Sequence, residues 1–370
     1  IALMGATCPS FSKEVASGLV YSVVEVTFQG PHQTPRDYPA RDIDFWVRIK
    51  HESGLPEYRI QAFWDGDGEG GMSGDVFKIR FTPTKQGRWI LAEVHSNAAQ
   101  LKGQKQGETI RARPSKAHGF WLVDPQSAGQ RWYMRSDGSH QYILGNTLYS
   151  FLSRILPDGQ PAYISIADEV KNNAGYFKKI RFSAIGDRYP HPTEKPFFDD
   201  EGKPSASGDY SHHPNPRWFA QRTDVAVQAA LQYDLIADLI LAGPDTEEAR
   251  SSIRARHNNG DPTPYLKYVA ARYGSYTNVW LCIANEYNIR HLPYSEEQIA
   301  DCGKTLRRLL PYAETPLSVH PWSAVLWKFD HTQPWYDHQI IQKKRKNIVQ
   351  SADFIQQVWS NPEGGTPRDK

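Results

Sequence analysis

The chain has 370 residues, enough to bury a substantial core and to hold two domains. Its 43 basic and 41 acidic residues leave a net charge of +2, which excludes a nucleic-acid footprint or a polybasic membrane patch as the basis of function. The 11 Trp, 19 Tyr and 15 Phe exceed what a core needs and suit a protein that stacks rings against sugars.

In chain order, Ile1 to Cys8 reads either as the end of a secretory apolar segment before a small-residue site or as an ordinary frayed terminus. The first reading makes the protein secreted or periplasmic. No run is long enough to span a bilayer, so no membrane insertion is expected. Cys8, Cys282 and Cys302 have neither zinc-ligand spacing nor the pattern of a disulfide framework. Cys282, inside an apolar run, is expected to pack as a small hydrophobe.

From about Leu19 to Ala112 apolar residues alternate with polar ones in short runs, at Val23–Phe28, Ile43–Ile49, Tyr58–Trp64, Val76–Phe81 and Gly87–Val94. Spacing near ten residues with no helical segment predicts an immunoglobulin-like antiparallel β-sandwich over residues 18–114, preceded by a tail at 1–17. Asp65-Gly66-Asp67-Gly68 reads as a sheet turn, since a calcium loop of EF-hand type would need a glutamate and flanking helices that are missing here.

After about Pro114 the period changes. Strands are predicted over 142–147, 179–186, 239–241, 279–284, 316–320 and 338–342, with helices over 217–233, 264–273, 299–310 and 351–359. Strand-helix alternation at this pitch argues for an α/β fold, a (β/α)8 TIM-type barrel with about six units present over residues 115–370. A closed barrel needs eight units, and Asn361 to Lys370 reads as a loop, so the chain is expected to stop before strand seven.

In parallel barrels functional side chains stand at the C-terminal ends of strands. The run Val279-Trp280-Leu281-Cys282-Ile283-Ala284 ends at Asn285-Glu286, which makes Glu286 the best candidate for an acid–base carboxylate. The competing reading is a solvated loop glutamate. Trp322, Trp335 and Tyr336 are candidate sugar-stacking rings or, equally, core aromatics. The stretch carrying His191, His212 and His213 lacks the spacing of a metal site and is read as a substrate-side loop; no metal and no cofactor are implied.

The Asn285-Glu286 pair after the fourth strand resembles the acid–base signature of clan A retaining glycoside hydrolases. More narrowly, Phe63-Trp64-Asp65-Gly66-Asp67-Gly68, Phe81-Thr82-Pro83 and Gly87-Arg88-Trp89 are similar to the domain that precedes apiosidase-like barrels. Gly119-Phe120, Tyr133-Met134-Arg135-Ser136-Asp137-Gly138, Leu144-Gly145-Asn146-Thr147, His320-Pro321-Trp322 and Gln342 extend the resemblance from about Gly18 to Lys370. It implies a carbohydrate substrate, with Glu286 as general acid and base and Asn285 on the sugar 2-hydroxyl. It also implies a nucleophilic Glu on strand seven, beyond Lys370, which Arg181 would position unless that arginine serves a plain ion pair. His320 would shape the site, or else be a buried histidine with a backbone partner. The chain departs from the family at Asn146, where Asp is more common, and neither Asp330 nor Asp337 matches the nucleophile. A reading of a different class is a carbohydrate-binding or surface-attachment protein built on a barrel that has lost its chemistry.

Overall fold

The computed structural model describes residues 13–127, 132–149, 151–153, 162–186, 194–245, 247–290, 294–322, 333–342, 349–350 and 352–353. Residues 1–8, His191, Asp330 and most of the helix expected over 351–359 lie outside the described residues.

The first eight strands are β1 (Glu14–Leu19), β2 (Val24–Gln33), β3 (Phe45–His51), β4 (Glu57–Gln61), β5 (Phe63–Trp64), β6 (Gly74–Phe81), β7 (Gly87–Ser96) and β8 (Thr109–Arg113), with the short helix α1 (Pro39–Asp42) after β2. They form a five-stranded sheet, β1-β8-β7-β3-β4, and a three-stranded one, β2-β6-β5. The alternation seen in the sequence is what closes them. Val26, Phe28, Ile79 and Phe81 from one sheet and Phe45, Val47, Trp89 and Leu91 from the other share a single apolar core. Each such side chain contributes about 1.5–3 kcal/mol by leaving water. Two features differ from expectation. β1 begins inside the stretch read as a tail, and it pairs with β8 in parallel, so the layer is not wholly antiparallel. The Asp65–Gly74 connection is a turn in which Asp67 Oδ1 accepts from the Glu69 and Gly71 amides.

A hairpin of β9 (Trp121–Val123) and β10 (Tyr133–Arg135) leads into the second region. There β11 (Gly145–Thr147), β12 (Lys179–Ser183), β15 (Ile236–Ile240), β16 (Val279–Cys282), β17 (Leu317–Val319) and β18 (His338–Gln339) make one six-stranded sheet in chain order, every neighbouring pair parallel. The small ladder β13 (Phe197–Phe198) and β14 (Pro204–Ser205) lies outside it. Helices α2 (Ala162–Ala174), α3 (Pro216–Trp218), α4 (Asp224–Gln232), α5 (Glu247–Arg250), α6 (Thr263–Tyr273) and α7 (Glu296–Leu309) fill the connections, α3 running into α4 through one π-helical turn. Local chemistry sets their ends: Ser295 and Gln298 form a reciprocal capping box at the start of α7, and Pro264 occupies the first turn of α6.

Period-two alternation gives this sheet two unlike faces. Ile180, Phe182, Ala237, Leu239, Val279, Leu281, Leu317 and Val319 pack with α2, α4, α6 and α7 in one apolar cluster. The alternate positions are Lys179, Arg181, Asp238, Trp280, Cys282, Ser318 and His338. Trp280 meets Trp121 and Tyr133 of the hairpin, which covers that end of the polar face. The C-terminal ends of the strands are left for a site.

Candidate active site

The site grows from the end of β16. Beyond Cys282 the backbone keeps its neighbours: the Ile283 amide donates to Ser318 O, Asn285 N to Ala242 O at 2.7 Å and Tyr287 N to His320 O. Asn285 is thereby locked between the ends of β15 and β17, with 2 % of its surface exposed. Its side chain is pinned as tightly. Oδ1 accepts from Arg181 Nη2 at 3.1 Å and from His320 Nδ1 at 2.5 Å, while Nδ2 donates to Asp245 Oδ2 at 3.3 Å. Two donors on one oxygen fix which end of the amide is which.

Glu286 follows with φ +47°, in the left-handed region where a residue with a Cβ is strained. Strain of this kind, at about 1–3 kcal/mol, persists where the surrounding structure imposes it. Here the imposing contacts are the amides of Asn285 and Tyr287 on either side. The Glu286 side chain is half-buried, and its charge reaches the Tyr149 hydroxyl. Burial of that hydroxyl raises its pKa, Asp245 and Glu286 add to the rise, and the nearby Arg181 opposes it.

Arg181 stands on β12 and also donates to Cys282 Sγ at 3.3 Å. Its Nε lies 3.8 Å from Asp238 Oδ2, and Asp238 is paired with Lys179 at 3.1 Å. Burial alone would lower the Arg181 pKa, but Cys282 and Asp238 outweigh it and hold the guanidinium charged. Burial alone would raise the Asp238 carboxyl, yet Lys179 and Arg181 keep it below the usual range. His320 is pushed down to about 3 by burial and by Arg181, so its ring is a neutral donor at Nδ1. Cys282 belongs to this polar face and hydrogen-bonds Arg181, so it does not pack simply as a small hydrophobe.

The residues singled out from the sequence divide. Glu286, Asn285, Arg181 and His320 come together. Trp322 follows His320 with its backbone amide on Asn288 Oδ1 at 2.7 Å and its side chain half-buried. Asn146 does not join them: it pairs with Ile180, early in β12, and its Nδ2 donates to Asn173 Oδ1 at the end of α2. The ladder runs on through the Leu148 amide to Arg181 O, so the residue at the strand's functional end is Tyr149. Trp335 and Tyr336 precede β18 and so lie at the opposite end of the parallel strands from Asn285, which follows β16, and each is only 1 % exposed. Trp335 lies on Gly303 of α7, where even a Cβ would sit 2.2 Å from the ring. Neither can offer a face to a sugar. Asp337 serves the fold, accepting from Arg307 and from the Leu317 amide.

His212 and His213 also leave the site. His212 stacks on Tyr38 beside α1 and His213 tilts against the same ring, each 1 % exposed. Among the described residues no group of three or more His, Cys, Asp or Glu is arranged to hold a metal, and no helix is long and apolar enough to cross a membrane.

Two residues were missed by sequence reasoning. Tyr149 and Asp245 line a cleft with Ser183, Gly243 and Asn285 at the ends of β11, β12 and β15. Asp245 had a usable signal, as the first ionisable residue after Leu239-Ile240-Leu241 and the Gly243-Pro244 break. Tyr149 had none, because strand β11 is too short and too exposed to reveal its end.

The chain is similar in sequence family and in fold to known proteins. A family model described as "Apiosidase-like, catalytic domain" matches residues 127–364, more than half of the chain. A second, a domain of unknown function (DUF5060), matches residues 19–91. No protein of curated function matches the chain. A crystal structure of a Bacteroides vulgatus ATCC 8482 protein, provisionally named a glycoside hydrolase, is similar with a TM-score of 0.68 at 22 % identity, over 90 % of this chain and 60 % of its own. A glycoside hydrolase family 5 protein of the same organism is similar at a TM-score of 0.47 and 11 % identity, over 66 % of this chain and 52 % of its own. A family 5 mannosidase from Rhizomucor miehei gives 0.42 and 14 %, over 60 % of this chain and 61 % of its own. The chain thus spans less than two thirds of the length of each of these structures.

Proposed function

The chain belongs to the apiosidase-like catalytic domain family, and from that premise we propose that it carries the acid–base half of a retaining glycoside hydrolase acting on a polysaccharide or glycan. The six parallel strands are then the wall of a (β/α)8 barrel, and the N-terminal sheets an immunoglobulin-like sandwich packed on it. The observation that supports this reading best is the strand-end pair: Asn285 held by three side chains, and Glu286 held beside it in a strained backbone.

In this reading Glu286 protonates the departing glycosidic oxygen and then draws a proton from the water that completes hydrolysis. A carboxylate on a later strand, about 5–5.5 Å away, attacks the anomeric carbon. Arg181, fixed in charge by Asp238 and Cys282, supports its ionised form. Asn285 offers its amide N–H to the sugar 2-hydroxyl, a contact that strengthens as positive charge develops on the ring. His320 contributes by holding the amide the right way round.

The test is Glu286→Gln and Glu286→Ala in the full-length protein, assayed on a panel of aryl glycosides and plant and microbial polysaccharides. Turnover should fall by roughly 10²–10⁴-fold without a change in melting. Azide should restore part of the Glu286→Ala rate by attacking the glycosyl-enzyme in place of activated water. Undiminished turnover in both variants would end the assignment. Sugar binding without turnover in the wild-type protein would favour a barrel that binds and does not cut.

A further inference from the structure

We propose that Tyr38, His212 and His213 form an acid-opened clasp, which ties the loop after β12 to the N-terminal region and releases it when the two histidine rings take up protons. The proposal stands apart from the glycosidase reading, since it concerns how the rim at the strand ends is held.

The loop leaves the C-terminal end of β12 and returns at α3, passing through the β13–β14 ladder on the way. His213 is tied into that ladder: its carbonyl accepts from the Phe198 amide at 3.0 Å, and its own amide donates to Tyr210 O at 2.9 Å. Across the junction stands Tyr38, at the entrance to α1. Its ring lies parallel to His212 with centroids 5.4 Å apart and tilts against His213 at 4.5 Å. Its hydroxyl donates to Asp200 Oδ1 at 2.9 Å, a contact between residues 162 positions apart. Gly202 closes so tightly on the arm that a Cβ there would sit 2.5 Å from the Pro35 carbonyl oxygen.

All four ring nitrogens of His212 and His213 are buried and make no hydrogen bond among the described residues. The Asp37 and Asp199 carbonyls stand near the His213 ring without completing one. A neutral imidazole carries one donor and one acceptor, and burying both unpaired costs free energy that a phenyl ring of similar shape would not. What imidazole offers in exchange is a proton site near neutral pH. The closed clasp shuts that site. Burial pushes both rings down to about 4, with Arg41 and His257 adding to the effect on His212, and His212 adding to it on His213. Asp200 opposes the fall at both rings and Asp42 at His212. Tyr210 also faces His212 and stacks on His257. Tyr38 stays neutral, because burial and the bond to Asp200 push its hydroxyl up to about 12.

When the clasp parts, water reaches both rings and each returns towards its ordinary value near 6.5. Protons therefore bind the open form preferentially. The closed form is fully stable above about pH 6.5 and weakens as pH falls towards 4.

The experiment is amide hydrogen exchange on the full-length protein at pH 7 and pH 5, with rates corrected for the intrinsic effect of pH. The amides of Phe198, His213 and Asn215 report the loop, those of Arg41, Asp42 and Ile43 report α1, and those of β3 and β16 serve as reference. From pH 7 to pH 5 we expect opening at the loop amides to rise on the order of 10²- to 10³-fold, while they still exchange at least about ten-fold faster than the reference. Loop amides exchanging in step with the reference at pH 5 overturn the proposal, since the histidines would then sense only global unfolding. The double variant His212→Phe, His213→Phe should cut the rise to below about three-fold and keep protection at pH 7; a rise that persists overturns the proposal. Should that variant not fold, His213→Phe alone is expected to halve the logarithm of the rise, and an unchanged rise overturns it equally. Tyr38→Phe removes only the bond to Asp200, so opening should increase by about three- to ten-fold at both pH values with the acid response intact. Loss of the acid response in Tyr38→Phe would assign the proton to Asp200 and overturn the role of the histidines.

Discussion

The seam between the N-terminal sheets and the helices and the floor beneath the strand ends are built from the same residue types, yet they differ in how far their charges are paired. At the seam, Asp224 of α4 binds Arg80 at 2.6 Å and Arg272 at 2.9 Å, Arg272 binds Asp65 at 2.7 Å, and Lys78 joins Asp65 at 2.8 Å. Arg80 also donates to Arg272 O, Tyr312 OH to Thr82 O, and Ser275 OH to Arg80 O. All of these charged side chains have partners, and Arg272 is wholly buried. In the floor, Asp238 is just as buried, but its Oδ1, the Nε of Arg181, the Nε1 of Trp280 and the Nε2 of His338 make no hydrogen bond among the described residues. Desolvated charge is stable when every lone pair and proton is used. A closed network welds two regions, and an open one keeps capacity for a substrate or for another strand. The comparison marks the first as scaffold and the second as machinery.

The sharpest way to break it is at the seam. Asp224→Ala leaves two buried arginines facing each other and should cost about 3–5 kcal/mol in urea unfolding, with both regions melting less cooperatively. A loss under about 1 kcal/mol would show that the weld carries little.

Acid comes next. Burial pushes His212 and His213, which stand beside α1 outside the Asp224 network, down to about 4, with Arg41 and His212 adding to the effect and Asp200 opposing it. In the floor, burial pushes His320 and His338 down to about 3. A histidine near 6.5 when unfolded and lower when folded takes up its proton preferentially in the unfolded chain, so stability is full above about pH 6.5 and falls as pH drops towards the folded value. Each should contribute roughly 1–3 kcal/mol to that decline. The pair His212→Gln, His213→Gln should flatten the stability profile between about pH 6.5 and 4 by about half, leaving the floor's share. An unchanged slope would assign the whole acid sensitivity to other groups. Asp224 acts lower. Although burial works against its charge, Arg272 and Arg80 hold it well below the usual carboxylate value, so its stabilisation is lost only at strongly acid pH.

The smallest effect is expected in the floor. Asp238→Asn should cost about 1–2 kcal/mol, because Lys179 reaches solvent and Arg181 keeps Asn285 and Cys282. A loss equal to that of Asp224→Ala would erase the distinction between the two regions.

Much of this was legible in the chain. The runs that form β2, β3, β4, β6, β7, β11, β12 and β15 to β18, the helices Thr263–Tyr273 and Glu296–Leu309, and the Asn285-Glu286 pair at a strand end follow from local periodicity, whereas β1, β8 and the helix Ala162–Ala174 gave no such signal. The convergence of Arg181 and His320 on Asn285 was not legible in the same way, since β12 and β16 are separated by β15 and only the folded sheet brings these side chains together. The misreadings share one cause. Asn146, Trp335 and Tyr336 were placed by their nearness to a strand in sequence, whereas side-chain direction and the end of the sheet they occupy depend on where the ladder starts and stops.

By itself the sequence determined what short-range forces determine: which residues extend, which coil, where each run ends, and therefore which carboxylate stands at a strand end. Only the tertiary structure decided which polar groups meet. The joining of Arg272 to Asp65 and Asp224, of Tyr149 to Arg181, and of Asp245 to Asn285 depends on strand stagger and helix crossing between residues 32 to 207 positions apart. Those contacts arise from packing the whole chain, and no local pattern of residues encodes them.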